Sequence, residues 1–302
     1  MTENNNYHIS VMLNECIEAL NIVSNGVYVD VTFGGGGHSS EILKHLEDGK
    51  LIGFDQDDDA LNNIPESNNL IFVNHNFRHL KRFLKFHKQM PVNGILADLG
   101  ISSYQIDEGT KGFSIRFDGP LDMRMNQTMS LTAADILNTY QEEDLVGMFS
   151  TYGEVRNTKK LAREIIKARK NGVKFNTTMN FISFLDSFVI GKRNRYLAQV
   201  FQALRIEVND EMGALKEMLK QSLEVLAVGG RLVIMTFHSL EDRIVKNFMK
   251  AGNFEGKLAV DMFGTTTKPF KLLNKKPIEV GKEELSVNNR SRSAKLRVAI
   301  KQ

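Results

Sequence analysis

Apolar runs and glycine-rich breaks alternate along the first hundred residues of the chain. Val27 to Phe33 is an apolar segment that ends in four glycines, and Lys50 to Phe54, Leu70 to Val73 and Asn93 to Ala97 are further short apolar runs. After the glycines, Ser39 to Leu46 has the polar and apolar spacing of a helix. Buried strands that alternate with helices are typical of a parallel α/β sheet. The pattern therefore predicts four strands of one sheet.

The same alternation returns in the last third of the chain. Glu211 to Ala227 places leucine and methionine at three- and four-residue spacing, which predicts an amphipathic helix, and Gly229-Gly230 is expected to end it. A strand is predicted at Arg231 to Phe237 and a helix at Leu240 to Met249. The last strands are predicted at Pro269 to Leu273 and Leu296 to Ile300.

The interval between these two parts is too long for one crossover. About 110 residues separate the fourth strand from Glu211, whereas a crossover with its helix needs roughly 10 to 30. The sequence of the interval predicts several helices. Thr132 followed by Asp135 resembles a capping box at the start of one of them. The predicted fold class is therefore α/β, with a Rossmann-like domain in residues 1–107 and 206–302 and a small helical domain inserted at 108–205. The inserted helices are predicted at Thr132 to Tyr140, Glu142 to Phe149, Lys159 to Lys170 and Thr177 to Val189.

Composition places the chain among ordinary globular proteins. Of its 302 residues 42% are hydrophobic and 25% are charged, with a formal net charge of +3, which excludes wholesale disorder. The single cysteine, Cys16, excludes an intramolecular disulfide, and the scattered histidines predict no metal site. No signal peptide and no apolar run of ~18 residues is present. We therefore expect a cytoplasmic protein without a membrane partner.

The glycine turn and the acids beside it point to a nucleoside cofactor. Glycines let a ligand approach the backbone, and the following helix offers free N–H donors. Asp55 ends the next strand, 18 residues after Gly37, where a Rossmann-like domain holds ribose hydroxyls. Asp30 precedes the glycines, and its charge would repel a pyrophosphate but attract an ammonium. This favours S-adenosylmethionine over NAD, although an NAD-dependent dehydrogenase stays open.

Two further segments carry candidate chemistry. Asp98 ends the fourth strand and can accept a hydrogen bond from an exocyclic amine, or it simply caps the turn that follows. The loop from Gly112 to Met125 holds charges of both signs, which suit either a substrate clamp or a solvated hairpin with internal salt bridges. A Ser–His nucleophile at His238 and Ser239 is disfavoured, because adjacent residues on an extended chain point to opposite sides.

Positive charge is concentrated in two places. From Ser286 to Gln302 there are five basic residues and no acid, and Lys192, Arg193 and Arg195 form a second cluster in a predicted loop. Such patches attract phosphate groups. The alternative is an ordinary solvated face, since lysine and asparagine are frequent throughout the chain.

Long motifs run through the whole chain in a fixed order, and such a set is far more specific than a glycine turn. Through them the chain resembles the RsmH (formerly MraW) family, the S-adenosylmethionine-dependent methyltransferases of small-subunit ribosomal RNA. The motifs are HISVMLNE at 8–15, DVTFGGGGH at 30–38, ADLGISSYQID at 97–107, GFSIRFDGPLDMRM at 112–125, FQALRIEVNDE at 201–211, GGRLVIMTFHSLEDRIVK at 229–246 and NNRSRSAKLR at 288–297.

The resemblance implies a class I methyltransferase sheet with a helical insertion, in agreement with the long interval. It implies methylation of the exocyclic N4 of a cytosine in the decoding region (P site) of 16S rRNA, within the small ribosomal subunit. Asp98, or a backbone carbonyl after it, is our candidate catalytic group, because it would accept an amine hydrogen and turn the lone pair toward the methyl. By motif matching, the cofactor residues are Gly36, Gly37, His38, Asp55, Phe77, Asp98 and Gln105. Asp30 is added to this set because of its charge beside the glycines.

Some expectations rest on single residues of the matched motifs. Phe77 would lie against adenine, although sequence alone assigns it to the core, and Tyr104 stands where many relatives have proline.

A non-catalytic RNA-binding assembly factor and a methyltransferase of small molecules stay open as alternatives, and so does the choice between monomer and homodimer. The candidate contacts to RNA phosphates are Arg124, Arg290, Arg292 and Arg297.

Overall fold

The chain folds into two compact units. The computed structural model describes residues 10–102, 105, 108–258, 266 and 268–302, without the side chains of residues 289 and 290. Unit 1 comprises Met1–Gly100 and Gly213–Gln302, and unit 2 comprises Ile101–Met212. The range predicted for the inserted domain, 108–205, lies inside unit 2.

Unit 1 is built on a mostly parallel sheet, as predicted for an α/β fold. Its strand order is β3-β2-β1-β4-β5-β8-β6, and β7 pairs with β8. The first five strands run parallel, whereas β8 is antiparallel to its neighbours. The strands are β1 (Val27–Asp30), β2 (Lys50–Asp55), β3 (Leu70–Asn74), β4 (Val92–Asp98), β5 (Leu226–Thr236), β6 (Phe270–Leu272), β7 (Ile278–Glu279) and β8 (Lys295–Lys301).

Eleven α-helices lie in the described part of the chain, and short 3-10 turns connect several elements. The longest helix, α8, begins inside the cluster at Lys192, Arg193 and Arg195 that was expected to lie in a loop. The helices are α1 (Leu13–Leu20), α2 (Gly37–Lys44), α3 (Leu80–Phe86), α4 (Ala133–Thr139), α5 (Glu142–Gly153), α6 (Thr158–Lys170), α7 (Thr178–Leu185), α8 (Arg193–Asn209), α9 (Glu211–Val225), α10 (Ser239–Ala251) and α11 (Lys282–Val287).

Both faces of the sheet are covered by apolar side chains. Along β4, Ile95 and Ala97 belong to one buried cluster and Leu96 to the other, because successive side chains of a strand point to opposite faces. Near-continuous apolar strands are expected where helices cover a parallel sheet on both sides. The polar side chains of these strands are consequently confined to the strand ends, where a ligand can reach them.

Unit 2 has a helical core of its own. The helix predicted at Thr177 to Val189 contributes to this core, since Phe181, Ile182 and Leu185 are buried. The predicted capping box is also confirmed: Thr132 accepts from the Asp135 N–H, and the Asp135 carboxylate accepts from the Thr132 N–H. Within the described ranges, no helix combines the length and the apolarity needed to cross a bilayer.

Two local predictions are wrong. The cluster at Lys192, Arg193 and Arg195 is not a loop, because α8 begins at Arg193, whose guanidinium bonds Asp186 at 2.6 and 3.0 Å. Gly229-Gly230 does not end the preceding helix either. Helix α9 stops at Val225, and β5 begins at the next residue and runs through both glycines.

Candidate active site

Three acids end three neighbouring strands of unit 1. Asp30 closes β1, Asp55 closes β2 and Asp98 closes β4. Strands β2, β1 and β4 lie side by side and parallel, so their carboxyl ends share one edge of the sheet. Strand order reverses at β1, and open α/β sheets bind ligands at such a reversal.

The turn that leads from β1 into α2 ends in three consecutive glycines, Gly34 to Gly36. Gly34 and Gly36 adopt left-handed φ angles of 50° and 75°, which glycine tolerates without the cost that a side chain imposes. Gly36 is the N-cap of α2 and provides no side-chain cap. A Cβ at Gly37 would collide with the Ser10 hydroxyl. No side chain of Gly36 or Gly37 therefore stands between the start of α2 and a ligand.

Hydrogen bonds within the protein occupy both oxygens of the Asp30 carboxylate, and this corrects the expected contact with an ammonium. Its side chain is 1% exposed. One carboxylate oxygen accepts from the Thr32 N–H at 3.0 Å and the other from the Ser39 hydroxyl at 2.7 Å. Burial raises the pKa of Asp30, and His38 partly opposes that rise. Asp30 therefore shapes the turn from beneath and offers no surface to a ligand.

His38 links the turn to the start of the chain. Its Nε2 lies 3.0 Å from the Val11 carbonyl, which can only accept, so Nε2 carries the hydrogen. Burial lowers the pKa of the imidazole, which favours the neutral ring. The next residue, Met12, donates its N–H to the Glu284 carboxylate at 3.1 and 3.3 Å. Residues from both ends of unit 1 thus meet beside this histidine.

Asp55 keeps free acceptor capacity. Its oxygens accept from the Gly34 N–H at 2.7 Å and the Asp57 N–H at 2.9 Å. Because a carboxylate oxygen has two lone pairs, each oxygen retains one. Burial is the main reason why the pKa of Asp55 rises to about 6, so the group is ionised at neutral pH. The two backbone donors orient a half-buried carboxylate that suits a pair of hydroxyls.

Asp98 carries a buried oxygen with no hydrogen-bond partner. Its backbone N–H donates to Thr32 Oγ1 at 2.7 Å, and its Oδ2 lies 3.9 Å from His38 Nδ1. Oδ1 is buried and no described residue donates to it. Burial first, and then Asp30, Glu241 and Glu284, raise the pKa of Asp98 to about 8. Buried polar atoms are normally satisfied, so this oxygen points to a ligand.

Phe77 and Gln105 were assigned to the cofactor only through the resemblance. Phe77 is half-buried and begins a 3-10 turn after β3, where the Asn76 side chain caps the Arg78 N–H. Gln105 belongs to unit 2, is buried, and accepts from the Ser102 N–H at 3.1 Å. Its contact with a cofactor stays a prediction, and Tyr104 lies outside the described residues.

Two of the four arginines predicted for RNA are held inside the protein. Arg124 bonds both oxygens of Asp122 at 2.7 Å, so the loop from Gly112 to Met125 contains the internal salt bridge considered as an alternative. Arg297 is 7% exposed and bonds both oxygens of Asp242 at 2.7 and 3.0 Å. Neither guanidinium is free to meet a phosphate, so the proposal below leaves them out.

The other two arginines and the His238 segment complete the account of the predicted sites. Arg292 is exposed, and the side chain of Arg290 lies outside the described residues. His238 is the N-cap of α10 and forms a capping box with Glu241, which is 2% exposed. The sequence analysis missed this role, although an acid three residues after a strand end is a signal for it.

The functional assignment comes from the comparisons with known proteins. A model described as the MraW methylase family matches residues 5–302. A relative from Bacteroides fragilis (strain YCH46) is 54% identical over 301 residues, 99% of both chains. One from Cytophaga hutchinsonii is 52% identical over 296 residues, 97% of this chain and 99% of the relative.

Both relatives carry the name "Ribosomal RNA small subunit methyltransferase H". The bare turn, the Asp55 carboxylate and the unpartnered Asp98 oxygen fit the backbone, ribose and amine contacts of an adenosyl group. The match covers nearly the whole chain at more than half identity. The chain therefore belongs to the MraW methylase family and is a methyltransferase that uses S-adenosylmethionine.

Proposed function

We propose that this methyltransferase modifies the exocyclic N4 of a cytosine in the decoding region (P site) of 16S rRNA, within the small ribosomal subunit. The printed name of the relatives supports ribosomal RNA of the small subunit as the substrate. The base and its position follow from the motif resemblance. Family membership leaves no place for the NAD-dependent dehydrogenase or the non-catalytic factor that the sequence left open.

The observation that carries the proposal is the unpartnered Oδ1 of Asp98. An acceptor at the end of β4, beside a bare glycine turn, suits a group that donates N–H hydrogens. The exocyclic amine of adenine and that of cytosine are both such donors. A buried acceptor without a partner costs about 1–3 kcal/mol, and a ligand amine at this oxygen would relieve that cost.

Within unit 1, each remaining residue has a role toward the cofactor. Asp55 would bind the two ribose hydroxyls, and the backbone of Gly36 and Gly37 would let the ligand lie close to the helix start. His38 stays neutral and holds residues 11 and 12 against the turn. The half-buried ring of Phe77 would pack against adenine, which a side chain wholly inside the core would not do.

The reaction needs alignment of the N4 nitrogen with the methyl group more than it needs activation of the methyl donor. When bound, S-adenosylmethionine supplies a methyl group made electrophilic by its sulfonium. The N4 nitrogen is a weak nucleophile because its lone pair is delocalised into the ring. As N4 gains the methyl group it must lose a proton, which the ionised Asp98 carboxylate or solvent water would accept. Proximity and orientation can supply ~7–11 kcal/mol of such a barrier, and hydrogen-bond acceptance by Asp98 would contribute the orientation of N4.

The base must leave its stack before it can enter this site. Enzymes that modify a base act on an unpaired nucleotide or extrude it from a helix. Exposed cations are then needed to hold the flanking phosphates. Arg292 is exposed and, with Arg290, stays in our proposed contact set at the start of β8.

Methyl transfer from labelled S-adenosylmethionine to intact small subunits and to naked 16S rRNA tests the proposal. We expect transfer to the subunits, with the label on N4 of one cytosine when the digest is analysed by mass spectrometry. Label on another atom or another RNA would contradict the substrate assignment. Asp98→Ala separates two roles for this residue. Lost turnover with intact cofactor affinity supports catalysis, whereas lost affinity refutes a purely catalytic role.

A further inference from the structure

Helix α3 has an outer face that the cofactor site does not use. Its inner face is buried, with Leu80 and Leu84 in the core of unit 1. Arg82, Lys85 and Phe86 are spaced by three and four residues, so they lie together on the outer face, and all three are exposed. Lys88 follows immediately and is also exposed. These four residues are called the α3 patch below.

The patch is positively charged, and its cations have no acidic partners. From residue 78 to residue 88 the sequence reads RHLKRFLKFHK and contains no acid. The two inner cations are paired with α9: Arg78 lies 3.4 Å from Glu217, and Lys81 bonds Glu224. Within the described part of the chain, no carboxylate lies at ion-pair distance from the three outer cations. Their charge is available to an external anion.

Phe86 distinguishes the α3 patch from an ordinary solvated face. Its side chain is 77% exposed, the largest exposure of any described aromatic residue. Its ring lies at 88° to the His87 ring, with the centroids 5.0 Å apart, so this contact covers only a small part of the phenyl surface. Cations near a helix C-terminus also complement the helix dipole. That effect accounts for Lys85 and Lys88 but gives no reason for an aromatic ring between them.

We propose that the α3 patch is a binding surface for single-stranded RNA outside the target nucleotide. An unpaired base would stack on Phe86, and Arg82, Lys85 and Lys88 would hold the adjoining phosphates. Positive grooves with aromatic platforms are the general means of binding single strands. The inference rests on the proposed function, since it takes RNA as the substrate. An anionic membrane fits less well, because the apolar face of α3 is already buried in the core and cannot enter a bilayer.

RNA affinity and its salt dependence test the surface. The probes are an oligouridine of about ten nucleotides and an abasic strand of the same length. We expect Phe86→Ala to weaken oligouridine binding about tenfold and to leave abasic binding unchanged. Replacing the three cations by alanine should weaken both probes and lower the slope of log affinity against log salt by about 2, at ~0.7 per phosphate.

Matched substitutions elsewhere in unit 1 serve as controls. Val228→Ala removes an apolar side chain of similar exposure, and Lys250→Glu reverses an exposed cation on α10. Neither should change oligouridine binding by more than the assay error. Since every substituted side chain is exposed, thermal unfolding should stay as in the parent protein. Equal RNA affinity of the parent and the Phe86→Ala variant would overturn the proposal.

Three further results separate this inference from the membrane alternative and from the proposed function. If Phe86→Ala lowers binding to phosphatidylserine vesicles and not to oligouridine, the α3 patch is a membrane surface and the RNA proposal fails. If the parent protein methylates small subunits while all patch variants bind RNA normally, only the patch is refuted. If the parent methylates no ribosomal RNA, the proposed function fails whatever the oligonucleotides show.

Discussion

The ends of β1 and β4 carry the same amino acid in two opposite conditions. Asp30 and Asp98 close neighbouring parallel strands, and burial is the main cause that raises the pKa of each. Thr32 and Ser39 donate to both oxygens of Asp30, whereas Oδ1 of Asp98 has no described partner. A satisfied buried acid belongs to the framework, and an unsatisfied one marks where a ligand binds.

Equal contributions of Asp30 and Asp98 to stability would contradict the distinction between a framework acid and a ligand-site acid. Asp30→Ala leaves the buried Ser39 hydroxyl without its acceptor and removes the bond from the Thr32 N–H, at ~1–3 kcal/mol each. We expect the free energy of unfolding to fall by about 3 kcal/mol in urea titrations. Asp98→Ala, measured in the same way, should cause no comparable loss. Similar losses in the two variants would show that bond satisfaction does not separate framework from ligand site.

The dependence of stability on pH tests the environment of Asp98 separately. The folded protein holds the Asp98 proton up to about pH 8, whereas the unfolded chain releases it near 4. The contribution of Asp98 to stability is therefore full below about pH 4 and is lost as the pH rises toward 8, with a slope of at most ~1.4 kcal/mol per pH unit.

Asp98→Asn should remove that slope. We expect the variant to gain stability relative to the parent between pH 5 and pH 8 in denaturant titrations. Asp122→Asn is the control, because hydrogen bonds and charge from Arg124 help to lower the pKa of Asp122 and predict no gain in this range. A constant difference between the Asp98→Asn variant and the parent would contradict the assigned environment.

The dependence of cofactor affinity on pH tests which group donates a hydrogen bond to Asp98. If Asp98 accepts from the adenine amine, the ionised carboxylate accepts more strongly than the protonated form, so binding of S-adenosylhomocysteine favours release of the Asp98 proton. Affinity should then rise up to about tenfold per pH unit between pH 7 and 8, above most of the range in which Asp55 titrates. Calorimetry in two buffers of different ionisation enthalpy measures the proton. Affinity that does not change with pH would assign Asp98 to the target base instead.

The smallest expected effect comes from a substitution in the glycine turn that follows Asp30. Gly36 has a φ of 75°, and a Cβ there would lie 3.1 Å from the Asn63 carbonyl oxygen. Gly36→Ala should cost about 1–2 kcal/mol of folding free energy and weaken cofactor binding. Gly35→Ala is the matched control, because it has no positive φ and open space around its Cβ. Equal behaviour of these two variants would refute the importance of the left-handed turn.

Strand positions and their terminal acids follow from the sequence, because apolar runs and glycine breaks are local signals. Asp55 and Asp98 stand where the strand pattern predicts them. The difference between Asp30 and Asp98 is not local. It depends on whether the Ser39 hydroxyl and the Thr32 N–H point toward the same carboxylate, and no spacing rule records that orientation.

Long-range pairing also escaped the sequence analysis. Arg297 and Asp242 lie on different elements, β8 and α10, and only the sheet topology brings them together. A basic residue near a chain end therefore looks free when it is not. Helix α8 was missed for a similar reason, because its polar beginning hides an apolar face that becomes evident only against the core of unit 2.

The bond between Met12 and Glu284 has a consequence for how the protein is made. Unit 1 draws its first four strands from the beginning of the chain and the remainder from its end. During synthesis the early strands leave the ribosome long before their partners exist. The edge at which β5 joins β4 stays uncovered until more than a hundred further residues have been translated. The sheet of unit 1 can therefore close only after β5 and β8 have been translated.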